Sequence, residues 1–264
     1  KPDERIKGFE NNEPATGKWD EIEVPSAWNV AGIGKDGKCK YGIPVYVNQG
    51  GIFYHKVEVG DWRKGVMREP PKTWTTYKYR NEVGQYVRSF NVPANWKKLR
   101  VFINFDGVDS FFYLWINGKY VGFSKNSRSL AQFDITKYLV KGANRVAVEV
   151  YRCSDGSFLE TQDMFRMAGI IRSVYLTATP EIHVGDVVAI PDLDSHYING
   201  ALNVKLSVSN QSAKDAKRYS MHCSLYPVEL YGDGTSDAPV AKAAVEVGDI
   251  TKQGKAQCEM QLTV

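Results

Sequence analysis

No apolar run in this chain approaches the roughly 18–20 residues that a membrane-spanning helix needs, and nothing in the sequence reads as a membrane anchor. Charge of one sign is scarce too. The formal net charge is only +4 over 264 residues, with acidic and basic residues interspersed. A nucleic-acid binder would show a concentrated basic face; the mildly basic cluster from Lys64 to Lys78 reads as a solvated loop. Cysteine is sparse. Cys39, Cys153, Cys223 and Cys258 are too few for a disulfide scaffold in a chain this long, show no CxxC spacing or zinc pattern, and leave the redox compartment open. Histidine is equally sparse. His55, His183, His196 and His222 form no HxxH or HExxH pair and no triad with a nucleophile elbow, so zinc-hydrolase and serine-hydrolase chemistry has no footing. No secretory leader is visible. Because the sequence opens on Lys1-Pro2-Asp3 rather than Met, the natural N-terminus is expected upstream of it, together with any leader.

What is present is strand. Val101, Ile103 and Phe105 alternate with less apolar neighbours, as do Val146, Val148 and Val150, then Val174 and Leu176, then Leu202, Val204, Leu206 and Val208. A period of two sends one set to a core and the other towards solvent. Helical periodicity is nearly absent; Ile135 to Leu139 reads as a turn. The strongest local signal is a hairpin. Phe111 to Ile116 and Lys119 to Phe123 flank Asn117-Gly118, which accepts positive φ at both central positions of a type I′ turn. Many short strands with turns between them predict a sandwich. The character changes near residues 178–183, and all six tryptophans lie at or before Trp115. The second part reads as a small sandwich of immunoglobulin-like size, without the Cys–Trp–Cys pattern of antibody domains. Cys223 and Cys258 read there as core thiols. The short run beyond Cys258 suggests further strands after Val264.

Gly32-Ile33-Gly34-Lys35-Asp36-Gly37 matches GxGxxG. Dinucleotide binding needs a strand before it and a helix after it. Neither flank fits, so it reads as a loop. Asn210-Gln211-Ser212 is a glycosylation sequon with no further support.

Residues 152–172 are different: Arg-Cys-Ser-Asp-Gly-Ser-Phe-Leu-Glu-Thr-Gln-Asp-Met-Phe-Arg-Met-Ala-Gly-Ile-Ile-Arg. Asp155, Glu160 and Asp163 fall among Phe158, Met164, Phe165 and Met167. Carboxylates accept hydrogen bonds from sugar hydroxyls, each contributing about 1.5–3 kcal/mol when charge-assisted, and apolar faces pack on sugar C–H groups. The competing reading is a surface loop whose acids pair with Arg152, Arg166 or Arg172.

This stretch resembles the signature SDGSxLExQDMxRMxGIxR of bacterial β-galactosidases in glycoside hydrolase family 2. Other stretches agree in order. Val24-Pro25-Ser26-Ala27-Trp28 is similar to VPSNW, and Pro44-Val45-Tyr46-Val47-Asn48 to PIYTN. Phe105 to Ser110 with Leu114 to Gly118, Val121 and Gly122 is similar to FDGVxSxFxLWxNGxxVG, and Gly142 to Val148 to GxNxLAV. The resemblance covers most of residues 21–180, and its Gln-Asp-Met stretch favours galactosidases over glucuronidases and mannosidases.

The resemblance implies an all-β chain: a jelly-roll β-sandwich of the galactose-binding-domain kind over residues 1–180, then an immunoglobulin-like β-sandwich over residues 181–264, the latter incomplete. It implies a downstream TIM barrel, absent here, that carries a general acid/base glutamate and a nucleophilic glutamate. The fragment alone is then expected to be inactive. The substrate implied is a terminal β-galactoside. Asp163 and Asn48 match the family's galactose-contacting positions. Asp163 also matches its sodium ligand, with the barrel completing that site; a hard cation suits oxygen ligands. Magnesium is expected only in the full-length enzyme. A homo-oligomer is compatible with the family, and the compartment is bacterial cytoplasm or periplasm, undecided. Arg166 is expected to fork onto Glu160 or backbone carbonyls, and Gly169 to serve a turn or close packing. There are departures. Cys153 and Phe165 stand for the family's Trp, Ala168 for Ser and Ala27 for Asn, substitutions expected to reshape the pocket. The stretch 49–86 is longer than its counterpart, and its Tyr54, Trp62 and Trp74 are candidates for stacking on a longer galactoside. Two other readings remain: a free-standing carbohydrate-binding module, and a family 2 hydrolase for another β-glycoside.

Overall fold

A computed structural model describes residues 5–12, 19–42, 45–47, 81–160, 164–228, 234 and 237–264. The chain is all-β and falls into two compact units, Lys1–Ala178 and Thr179–Val264.

The first unit holds β1 (Val45–Val47), β2 (Val83–Asn91), β3 (Arg100–Phe105), β4 (Val108–Asp109), β5 (Phe111–Ile116), β6 (Lys119–Ser124), β7 (Ala131–Asp134), β8 (Ala143–Tyr151), β9 (Met164–Arg166), β10 (Gly169–Ile170) and β11 (Val174–Thr179). A four-stranded sheet runs β2-β8-β5-β6 and a three-stranded sheet runs β11-β3-β7; the ribbons β1-β9 and β10-β4 complete the sandwich. Between the sheets lie Val101, Ile103 and Phe105 of β3, Phe112, Leu114 and Ile116 of β5, and Val148 and Val150 of β8. Period-two alternation puts these side chains on one face. Each large one contributes about 1.5–3 kcal/mol by leaving water.

The Asn117-Gly118 turn has φ of 51° and 73°, positive at both positions as a type I′ turn requires. Asn117 does more than turn the chain. Its side chain accepts from Arg145 N–H at 2.8 Å and donates to the Tyr138 carbonyl at 2.9 Å and to Asn144 Oδ1 at 2.8 Å. Asn144 in turn satisfies the backbone of Val140 and Gly142. The Gly-x-Asn motif is therefore a buried polar knot, which explains a polar residue in an apolar run. The stretch from Ile135 contains one short 3-10 turn, Thr136–Tyr138.

One sequence expectation fails on β8. Alternation sends Ala147 and Glu149 towards solvent, yet both are buried. Residues 5–12 lie across this outer face. The Gln85 side chain pairs with both Ile6 N–H and Ile6 C=O, Arg145 donates to the carbonyls of Phe9 and Asn12, and Arg5 and Tyr151 donate to Glu149.

The second unit holds β12 (Ile182–Leu193), β13 (Gly200–Asn210), β14 (Tyr219–Leu225), β15 (Ala241–Val247) and β16 (Lys255–Thr263). Its sheets are β12-β13-β16 and β14-β15. Val204, Leu206 and Val208 pack with Val247, Ile250, Cys258 and Leu262. Cys258 is buried and Cys223 half-buried; both are free thiols. Asn210 of the sequon is fully buried. Its amide donates to the carbonyls of Lys214, Ile250 and Thr251 at 2.8, 3.1 and 3.2 Å, a structural role for what reads in sequence as a glycosylation site.

Candidate substrate-site loop

Three separate stretches brace residues 164–172. First, β9 pairs antiparallel with β1: Val45↔Arg166, Tyr46↔Phe165, Val47↔Met164. Second, β10 pairs with β4: Gly169↔Asp109 and Ile170↔Val108. Third, Ser26 N–H donates to the Ile170 carbonyl at 2.8 Å and Trp28 N–H to the Ala168 carbonyl at 3.0 Å. The Asn29 side chain, buried, accepts from Ala168 N–H at 2.8 Å. The stretches recognised in the sequence around Val24, Val45 and Phe105 are thus the loop's structural partners.

Gly169 explains itself. Its φ is +135°, and a Cβ placed there would lie 2.7 Å from the Ser26 carbonyl oxygen and 3.2 Å from Trp28 N. Both a backbone that L residues rarely adopt and a close approach demand glycine. Arg172 packs its stem over Gly107 and donates to the Arg128 carbonyl at 2.8 Å.

The first half of the loop is held differently. Cys153 N–H donates to Asn81 Oδ1 at 2.9 Å, and Asn81 Nδ2 donates back to the Cys153 carbonyl at 3.2 Å. Asp155–Phe158 forms one 3-10 turn inside a capping box of Ser154 and Ser157. Arg152, buried, donates to Glu82 at 3.0 Å. Lys125 Nζ lies 2.7 Å from exposed Asp155, and the hydrogen bond from that ammonium holds the Asp155 carboxyl below its usual range. Glu160 accepts from Ser127 N–H at 3.0 Å and from the Ser127 hydroxyl. Asp155 and Glu160 therefore tie the loop to residues 125–127, a brace that the sequence, with its three nearby arginines, did not suggest.

Asp163 and Asn48 both lie outside the described residues, as do Tyr54, Trp62, Trp74, His55 and the side chain of Arg166. Their chain neighbours Met164 and Val47 face each other as the last pair of the β1-β9 ladder. Two sequence expectations need correction. Cys153 and Ala168 are buried, and Ala168 packs in the core, so their substitution alters packing beneath the loop rather than a pocket wall. Phe165 alone of that group is exposed. The end of the 49–86 stretch is ordinary sandwich, since Val83 already begins β2. Gly32 to Lys40 is a reverse turn: Gly34 N–H donates to the Lys38 carbonyl, and the single helical turn Trp28–Ala31 precedes the glycines instead of following them. That geometry offers no helix N-terminus to a phosphate.

A cleft of about 430 Å³ runs along β2, between Trp19, Trp28, Tyr41 and Glu82. Its polar groups already serve one another: Asp20 accepts from Lys40 Nζ at 2.7 Å and from the Tyr41 hydroxyl at 2.6 Å. Among the described residues no cluster of His, Cys, Asp and Glu could hold a metal by itself, and no helix is long and apolar enough to cross a membrane.

The first unit is thus a β-sandwich with a polar loop held by three separate stretches, and a second sandwich follows it in the chain. The family "Glycosyl hydrolases family 2, sugar binding domain" matches residues 8–180, and the chain belongs to it. The chain is 42% identical to a β-galactosidase of Priestia megaterium over 85% of its own length and 20% of that protein's. It is 37% identical to a β-galactosidase of Clostridium acetobutylicum over 81% of its length and 22% of that protein's. It therefore spans about a fifth of the length of these relatives. Among solved structures, a Bacteroides uniformis β-glucuronidase matches 98% of this chain and 26% of its own, with a TM-score of 0.68 at 18% identity. That likeness concerns the fold.

Proposed function

We propose that the chain is the non-catalytic, substrate-facing part of a retaining β-galactosidase. Asp163 and Asn48 contact the terminal galactose, and a TIM barrel in the same polypeptide supplies the acid/base and nucleophilic glutamates of the two-carboxylate mechanism. The observation that carries this reading is the 42% identity to a β-galactosidase, spread over 85% of the chain. The β1-β9 ladder supports the pairing of roles. Val47 and Met164 are opposite one another, and in the sequence Asn48 follows Val47 and Asp163 precedes Met164. Two polar ligands attached to one ribbon end suit a single hydroxyl-rich ring.

Asp163 also serves as a sodium ligand in this reading. A carboxylate oxygen is the right kind of donor for a hard cation, and the barrel provides the others. Sodium supplies an electrostatic anchor for a substrate oxygen; Asp163 orients that part of the ring. Magnesium belongs near the barrel's glutamates. The fragment by itself has no hydrolytic activity in this reading.

The test is Asp163→Ala in the full-length enzyme. Loss of one or two charge-assisted contacts, about 1.5–3 kcal/mol each, lowers kcat/KM by roughly tenfold to twenty-thousand-fold. The thermal melt is expected to stay within about a degree if Asp163 serves substrate rather than the fold. Wild-type kinetics would refute the assignment. A panel of aryl β-galactoside, β-glucuronide and β-mannoside substrates addresses the second reading, a family 2 hydrolase for another β-glycoside.

A further inference from the structure

The outer face of the β2-β8-β5-β6 sheet carries a row of aromatic rings. Strand alternation on β5 puts Phe111, Tyr113 and Trp115 there, opposite the core side chains Phe112, Leu114 and Ile116. On β6, alternation alone would place Tyr120 and Phe123 on opposite faces, because they are three residues apart. A register shift between Leu114 and Trp115 changes this: Trp115 pairs with Tyr120 and Tyr113 with Phe123. A bulge of one extra residue resets the alternation and brings both rings to the outer face. Ring centroids are then 5.9 Å apart for Trp115–Tyr120, 6.2 Å for Tyr113–Tyr120 and 5.7 Å for Phe111–Phe123. Tyr120 and Phe123 are 50% and 52% exposed.

At one end of the row, Phe9 of the crossing segment meets Trp115 edge-on at 5.6 Å. This makes a wall. A recess of about 250 Å³ opens there, floored by Tyr113, Trp115 and Tyr120, with Lys7 and Glu10 at its rim. That volume lies just below the roughly 300 Å³ at which pockets for larger ligands begin, and it suits one sugar ring.

We infer that this face is a carbohydrate-binding platform, and that its ligand is a β-galactoside oligosaccharide. The rim carries both signs of charge, donor and acceptor together. A neutral polyhydroxyl ring uses both, whereas an apolar helix would leave them unpaired. Tyr and Trp offer a flat apolar body with a polar edge. β-Galactopyranose presents its C3, C4 and C5 hydrogens on one face because the C4 hydroxyl is axial, so that face stacks on a ring while the hydroxyls reach the rim. The choice of galactose among hexoses rests on the function proposed above; the platform does not.

The experiment is calorimetric titration of the 264-residue chain with lactose and with a linear β-galacto-oligosaccharide. Saturable binding is expected, tighter for the oligosaccharide. Tyr120→Ala weakens it by roughly tenfold, Phe123→Ala weakens the oligosaccharide more than lactose, and Tyr120→Phe keeps it. Asp163→Ala leaves it unchanged, which separates this site from the proposed active-site contact, whose failure is read from full-length kinetics alone. Absence of saturable binding overturns the inference. So does loss of binding in Asp163→Ala with retention in Tyr120→Ala, or a self-association of the chain that Tyr120→Ala abolishes.

Discussion

Replacing Gly169 by alanine tests the idea that the candidate loop of residues 164–172 is positioned by backbone contacts rather than by its own side chains. The added Cβ meets the Ser26 carbonyl oxygen at 2.7 Å and Trp28 N at 3.2 Å. Both neighbours are backbone atoms of a segment already hydrogen-bonded to residues 168 and 170, so neither can swing aside as a flexible side chain would. Backbone strain at φ of +135° costs about 1–3 kcal/mol, and forcing an atom into a packed site about 1–3 kcal/mol more. The middle of that range, about 4 kcal/mol, lowers the melting temperature of a unit of this size by roughly 8–16 °C. Gly142 is the control. Its φ is also positive, at +90°, but a Cβ there meets nothing within 4 Å. Gly142→Ala therefore bears only the strain, about 1–2 kcal/mol, and shifts the melt by a few degrees. Scanning calorimetry on both variants of the 264-residue chain reads the difference directly. Equal shifts for the two variants, or none for Gly169→Ala, would show that the close approach to residues 26–28 does not constrain the loop.

Asn210→Ala leaves three carbonyls and the Ser212 N–H without their present partner. The expected loss is about 2–4 kcal/mol, seen as a lower urea midpoint for the second unit, and an unchanged midpoint would contradict the buried-knot reading. Asp155 should titrate below the ordinary aspartate value of about 3.9, because Lys125 hydrogen-bonds its ionised form. The sign follows: a depressed folded pKa gives a contribution present above the unfolded pKa and lost as pH falls through the folded one. Carboxyl-detected NMR should show the Asp155 value rising in Lys125→Met, and no rise would remove the ion pair from the account of the loop.

Legibility in the sequence divides along physical lines. Elements set by local rules were readable. The hairpin follows from Asn117-Gly118, whose positive φ values few other dipeptides accept. The core of β3 and β5 follows from alternation, because one face is buried between two sheets. What depends on contacts between distant segments was not readable in the same way. Nothing in the spacing of Glu160 announces that its carboxylate will hold the backbone of Ser127, thirty-three residues earlier. Nothing in Ala147 or Glu149 announces that residues 5–12 will cover them. The candidate loop sits between these cases. Its composition alone was ambiguous between a sugar contact and a solvated acidic loop. The ordered motifs at Val24, Val45 and Phe105 favoured a sugar contact by resemblance, and in the structure each one hydrogen-bonds to residues 164–172 or to their immediate neighbours. Residues 164–172 are thus held by the backbone of three segments that lie far apart in the chain.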